Sequence, residues 1–162
     1  MMLGGDIQVK WSAAEQAADF VFDEEDIDLS TDAGLETAIV ISLFTDRRAD
    51  GEALPSGETK LKGWWGDCLS DVDGDKIGSK LWLLYREKHV SEVASRAKEY
   101  AEESLRWLTD TRVAKRIEVE AYLLPDGVLA LSAKILRPEV NDVTEFRFNY
   151  NWQAQEVYGN AL

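Results

Sequence analysis

The chain has 162 residues, which gives room for one ordinary domain with its own core and too little for two. Hydrophobic residues make up 45% and charged residues 30%, so most of the chain is expected to fold. A formal net charge of −13 argues against a nucleic-acid partner, because phosphate recognition needs clustered lysine and arginine and this field repels a polyanion.

Cys68 is the only cysteine, so no intramolecular disulfide can form and a reducing cytoplasm is the expected site of synthesis. The start, MMLGGDIQVKWSAAEQ, has no basic region followed by an apolar run and does not read as a signal peptide. No stretch approaches the roughly 20 apolar residues of a membrane span, so no membrane partner is expected.

Residues 1–32 read as an acidic N-terminal arm, and residues 33–162 as a single domain. The arm holds a short alternating piece at Ile7, Val9 and Trp11, then the run Asp23, Glu24, Glu25, Asp26, Ile27, Asp28, Leu29. Mutual repulsion keeps such a run solvated, while Phe20, Phe22, Ile27 and Leu29 seek burial. Leu35 to about Arg48 then reads as a buried helix, with Glu36 near its start and Arg47 and Arg48 near its end matching the helix dipole; β-branched Ile39, Val40 and Ile41 would also suit a strand. Gly51, Pro55 and Gly57 mark a loop that leads into Gly63, Trp64, Trp65, Gly66, Asp67. After Gly74 and Gly78, a short helix is favoured where Leu81, Leu84 and Tyr85 share a face.

The strongest helical signal runs from Ser91, a good N-cap residue, to about Leu108. Val93, Ala97, Tyr100, Ala101, Ser104, Leu105 and Leu108 form its apolar stripe. Glu92 with Arg96, Lys98 with Glu102, and Glu102 with Arg106 form i,i+4 pairs on the other face, each worth about 0.2–0.5 kcal/mol. The period then switches to two, predicting antiparallel strands over about 116–124, 128–136 and 143–153. Two main helices on one face of a small antiparallel β-meander make an α+β fold. The last strand, with Thr144, Phe146, Phe148, Tyr150 and Trp152 on one face, is the candidate edge for strand addition by a partner.

Chemistry is hard to place. His89 is the only histidine and carries no triad signature, and no pair of carboxylates stands out, so no catalytic residue is assigned. Asp71, Val72, Asp73, Gly74, Asp75 opens like a calcium loop, yet its glycine falls fourth instead of sixth and Trp82 stands where the twelfth-position acid is needed. No metal or cofactor is therefore expected. The residues singled out, as protein-interface or core-locking positions, are Trp64, Trp65, Asp67, Trp82, Phe146, Phe148, Tyr150 and Trp152.

Four strings in order, LETAIVISLFTDRRA from Leu35, GWWGD from Gly63, GSKLWLLYREK from Gly78 and AKEYAEESLRWL from Ala97, resemble the Mu gene-product-forty-six family of phage and prophage proteins. The resemblance covers about 35–136. It implies a structural subunit of a contractile-tail baseplate, similar to the small lysozyme-like wedge protein of larger tails, which is not a lysozyme. The implied partners are a larger baseplate wedge protein and the components that initiate the tail sheath and tube, with the isolated chain a monomer or weak oligomer. It implies a place in the virion tail after synthesis in the host cytoplasm. The wider family has a Trp, Glu, Pro, Arg string where the long helix meets the first strand; this chain keeps Trp107 there and lacks the proline. The alternatives are a peptidoglycan hydrolase-like protein and a metal-binding prophage module.

Overall fold

The computed structural model describes residues 6–7, 9–12, 17–20, 22–23, 28–29, 31–32, 35–51, 54, 59–70, 72, 74, 76–86, 90–124, 127–138, 143–151 and 156–160. His89, Trp152 and the acids of the calcium-like turn lie outside the described residues. No helix among those described is long and apolar enough to cross a membrane.

Six short strands come first: β1 (Asp6–Ile7), β2 (Val9–Ser12), β3 (Ala17–Phe20), β4 (Phe22–Asp23), β5 (Asp28–Leu29) and β6 (Thr31–Asp32). They pair antiparallel as β1 with β6, β2 with β3 and β4 with β5. In the β4–β5 pair Phe22 stands opposite Leu29 and Asp23 opposite Asp28, while Glu24 to Ile27 of the acidic run lie outside the described residues.

Helix α1 (Glu36–Phe44) is shorter than the pattern predicts. Thr45 is already extended, so Arg47 and Arg48 fall beyond the helix end and cannot serve its dipole. Thr37, Ile39, Ser42 and Leu43 are buried, whereas Ile41 is exposed. Helix α2 (Val90–Leu105) starts one residue ahead of Ser91 and stops three before Leu108, with a separate turn, α3 (Trp107–Asp110), completing the run. Arg106 thus lies past the end of α2, while Glu92–Arg96 and Lys98–Glu102 pair at 3.5 and 3.7 Å. Val93, Ala97, Ala101, Leu105 and Leu108 are fully buried; Tyr100 is only half-buried, because it reaches past the stripe to a second apolar cluster.

The sheet is a meander of β7 (Arg116–Leu123), β8 (Leu129–Leu136), β9 (Val143–Asn151) and β10 (Glu156–Asn160), in which each strand pairs antiparallel with the next. One row of the ladder reads Val119, Ala133, Phe146 and another Ala121, Leu131, Phe148, all directed at the helices. Main contact of the sheet with the helical layer runs through α2 and β7. The opposite face carries Glu118, Lys134, Glu145 in one row and Glu120, Ser132, Arg147 in the next, the polar side of a one-sided sheet.

The fourth strand corrects the sequence reading of the edge. β9 pairs with β8 along its length and with β10 from Phe148 to Asn151, so that half of the strand is inner, while residues 143–147 have β8 on one side only among the described residues. Among the described residues the outer strands are β7 and β10, and β10 lies beside β2.

Candidate interaction site at the GWWGD loop

The site is built on the stretch just after α1. There Asp46 bridges in parallel to Ser79: the Arg47 N–H donates to the Ser79 carbonyl at 2.9 Å, and the Ser79 N–H donates to the Thr45 carbonyl at 2.9 Å. On the other side the Ala49 N–H donates to the Leu61 carbonyl at 3.0 Å. Three distant segments thereby meet without forming a regular sheet. Ser79, itself buried, donates its hydroxyl to the Leu43 carbonyl and accepts the Leu81 N–H at 3.2 Å, so one side chain satisfies the end of α1 and the start of the next turn.

Gly78 is required at this junction. Its φ is +93°, and a β-carbon added there would meet the Thr45 carbonyl oxygen at 2.2 Å. The sequence Gly78, Ser79, Lys80, Leu81, Trp82 is therefore a clamp closed on the end of α1. The 3₁₀ segment Leu81–Arg86 that follows replaces the expected one-sided helix. With three residues per turn, Leu81 and Leu84 align toward the main core, while Trp82 and Leu83 enter a second cluster with Ala49, Leu54 and Tyr100.

Trp82 is 2% exposed, and its indole N–H donates to the Arg47 carbonyl at 2.9 Å. Above the ring, at 4.7 Å from its centroid, lies the Lys62 ammonium, which also pairs with Asp46 at 2.7 Å. Lys62 has φ 49°, a left-handed conformation that costs a non-glycine residue about 1–2 kcal/mol. The cation–π contact and the ion pair offset that strain and set the direction in which the chain leaves.

From this base the loop from Gly63 to Gly78 projects. Trp65–Leu69 forms a 3₁₀ turn. Trp64 and Trp65 contact one another with ring centroids 5.4 Å apart, and the Trp64 ring lies so close over Gly66 that a β-carbon there would fall 2.1 Å from it. Asp67 closes the loop by accepting the Ile77 N–H at 3.0 Å, while its other carboxylate oxygen is buried without a partner among the described residues. The Cys68 thiol donates to the Trp65 carbonyl at 2.9 Å.

The singled-out residues thus separate. Trp82, Phe148 and Tyr150 are buried; Phe44 packs edge-on to Phe148 at 5.4 Å and against Tyr150 at 5.7 Å, and burial pushes the Tyr150 phenol well above its usual pKa. Phe146 is partly buried against the same core. Trp64, Trp65 and Asp67 share the loop. Reading the sequence alone missed the clamp roles of Ser79, Lys62 and Asp46, although Asp46 and Ser79 lie within strings that carry the family resemblance; Gly78, four residues before Trp82, was the available signal. Trp107, kept from the wider family pattern, donates its indole N–H to the Ser42 hydroxyl at 3.0 Å and so joins α3 to α1.

The described residues thus make a small α+β domain whose aromatics are split between a buried clamp and an exposed loop. The chain belongs to the family described as phage protein GP46, whose model matches residues 35–142. It is 42% identical over 130 residues to baseplate protein gp46 of Escherichia phage Mu, covering 79% of this chain and 88% of that protein. It is 39% identical over 148 residues to Mu-like prophage FluMu protein gp46 of Haemophilus influenzae, covering 91% and 97%.

Proposed function

We propose that the chain is a structural subunit of a contractile phage or prophage tail baseplate, a wedge component that helps connect the baseplate to the tube and sheath. The observation that carries this is the likeness to the phage Mu baseplate protein along most of both chains. The role is assembly and not catalysis, its partners are a larger wedge protein and the sheath-initiating components, and its destination is the tail of the virion after synthesis in the host cytoplasm.

A sheet edge is the physical means of joining a second chain. With the second half of β9 covered by β10, the longer open edge is that of β7, which pairs only with β8 among the described residues and has no proline or glycine in its eight residues. Arg116, Glu118 and Glu120 on its solvent face restrict indiscriminate pairing. The division into a 1–32 arm and a 33–162 domain is supported by the strand pairings of residues 6–32, which all stay within that stretch.

Purified tails of the encoding phage provide the test. Mass spectrometry is expected to find this chain in baseplates, and deletion of its gene is expected to leave particles without assembled sheath. Complete, contractile tails that lack the chain would overturn the proposal.

A further inference from the structure

From Gly63 to Gly78 the sequence carries Asp67, Asp71, Asp73 and Asp75 against a single cation, Lys76. The same loop keeps large apolar groups in water: Trp65 is 73% exposed, Leu69 69% and Val72 66%, with Trp64 against Trp65. Single exposed hydrophobics are ordinary, but a run of them on a loop held at its base by Gly78, Ser79 and Asp67 has the form of a prepared surface. Indole faces attract cations through the ring quadrupole, and the net negative charge of the same stretch of sequence adds a second attraction of the same sign.

We infer that the loop from Gly63 to Gly78 is a docking surface for a segment of a partner protein that brings arginine or lysine beside apolar residues. The cation lies over the Trp65 or Trp64 ring, and its apolar neighbours cover Leu69 and Val72. Arginine suits the place best, since a planar guanidinium stacks on an indole face and stays charged at every physiological pH. The charge decides among occupants. Nucleic acid and an anionic lipid surface are repelled by these carboxylates, and a second copy of this chain, with a net charge of −13, is opposed as well. This deepens the baseplate reading and rests on it only for which protein supplies the segment.

A model peptide of alternating arginine and leucine, and its twin with citrulline for arginine, probe the chemistry without knowledge of the partner. Titrated into the full chain at low salt, the arginine peptide is expected to change the tryptophan emission saturably. Citrulline, or Trp65→Ala in the protein, should weaken binding about tenfold; Asp67→Asn should weaken it less, and Trp65→Phe should keep most of it. Equal binding of the two peptides, no binding of either, or an unchanged affinity in Trp65→Ala would overturn the inference. Trp65 is exposed, so thermal unfolding should confirm that its replacement leaves the fold intact. In phage complemented with each variant, normal entry of Trp65→Ala into baseplates would also overturn the inference while leaving the baseplate role standing. Absence of the wild-type chain from particles would instead sink that role, with the peptide titration still deciding the loop.

Discussion

The sheet with α2 and the clamp behind the tryptophan loop achieve order by different routes. In the sheet, burial is distributed: Val119, Leu129, Leu131, Ala133, Ile135, Phe148 and Tyr150 occupy successive inward positions, and each ladder row repeats the same arrangement. In the clamp, order depends on a few contacts that do not repeat, namely Ser79 on Leu43, Trp82 on Arg47, Lys62 on Trp82 and Gly78 against Thr45. A periodic element can have one side chain truncated and keep its register. An aperiodic junction fails locally when one contact is removed, and this makes it suited to holding an exposed loop in one pose.

The largest expected effect comes from Trp82→Ala, which empties the second cluster and should cost about 3–5 kcal/mol, as should Phe148→Ala in the sheet. Denaturant titration checks the magnitude, and hydrogen exchange sharpens the comparison. Trp82→Ala is expected to speed exchange at Arg47, Ala49 and Ser79 more than in β8, whereas Phe148→Ala should speed both alike. Uniform acceleration in both variants would remove the distinction between the two regions. Next is Gly78→Ala, which forces a β-carbon onto the Thr45 carbonyl at a positive φ and should cost about 1–3 kcal/mol. The same change at Gly127, also at positive φ but with no atom within 4 Å of the added carbon, should cost less.

Lys62→Met keeps the β-carbon and most of the stem while removing the charge over Trp82 and the Asp46 pair. Both groups are partly in water, so a loss of only about 0.5–1.5 kcal/mol is expected, smaller at high salt. No loss at either salt concentration would assign the contact to stem burial alone.

How far the sequence revealed these regions follows from the same contrast. Strands β7, β8 and β9 lie within two residues of where their alternation ends, because period two reports a face directly. β10 escaped notice: it has only five residues, contains Gly159, and its register on β9 shifts between Tyr158 and Asn160, so no alternation is sustained. Missing it made Phe148–Asn151, which β10 covers, read as part of an open edge. Helix α1 was readable as a helix, but its end was set by the Thr45 to Arg47 bridge with Ser79, a contact between residues more than thirty positions apart that no local pattern encodes. The aromatics drew attention through their type alone; which of them face the core depends on the clamp, and a list of tryptophans holds no information on that.

The smallest expected effect is on the solvent face of the sheet, where the periodic region carries its own set of specific contacts. The Glu145 carboxylate accepts from the Arg147 guanidinium at 2.8 Å and from the Ser132 hydroxyl at 2.7 Å, and Lys134 stands at 4.0 Å. These partners favour the charged form, Arg147 most, and hold Glu145 below the usual glutamate pKa despite some opposing desolvation. A depressed folded pKa means that the contribution is present above the unfolded value and is lost as pH falls through the folded one. Glu145→Gln should therefore unfold slightly more easily than wild type at neutral pH, with the gap closing in acid below about pH 4. Glutamine still accepts from Ser132, so what the variant removes is the charge. Comparing melting temperatures of the two proteins across that range, at low and high salt, isolates it. A gap that persists in acid would show that shape and hydrogen bonding, the same non-repeating kind of contact as in the clamp, hold this row of the sheet instead of charge.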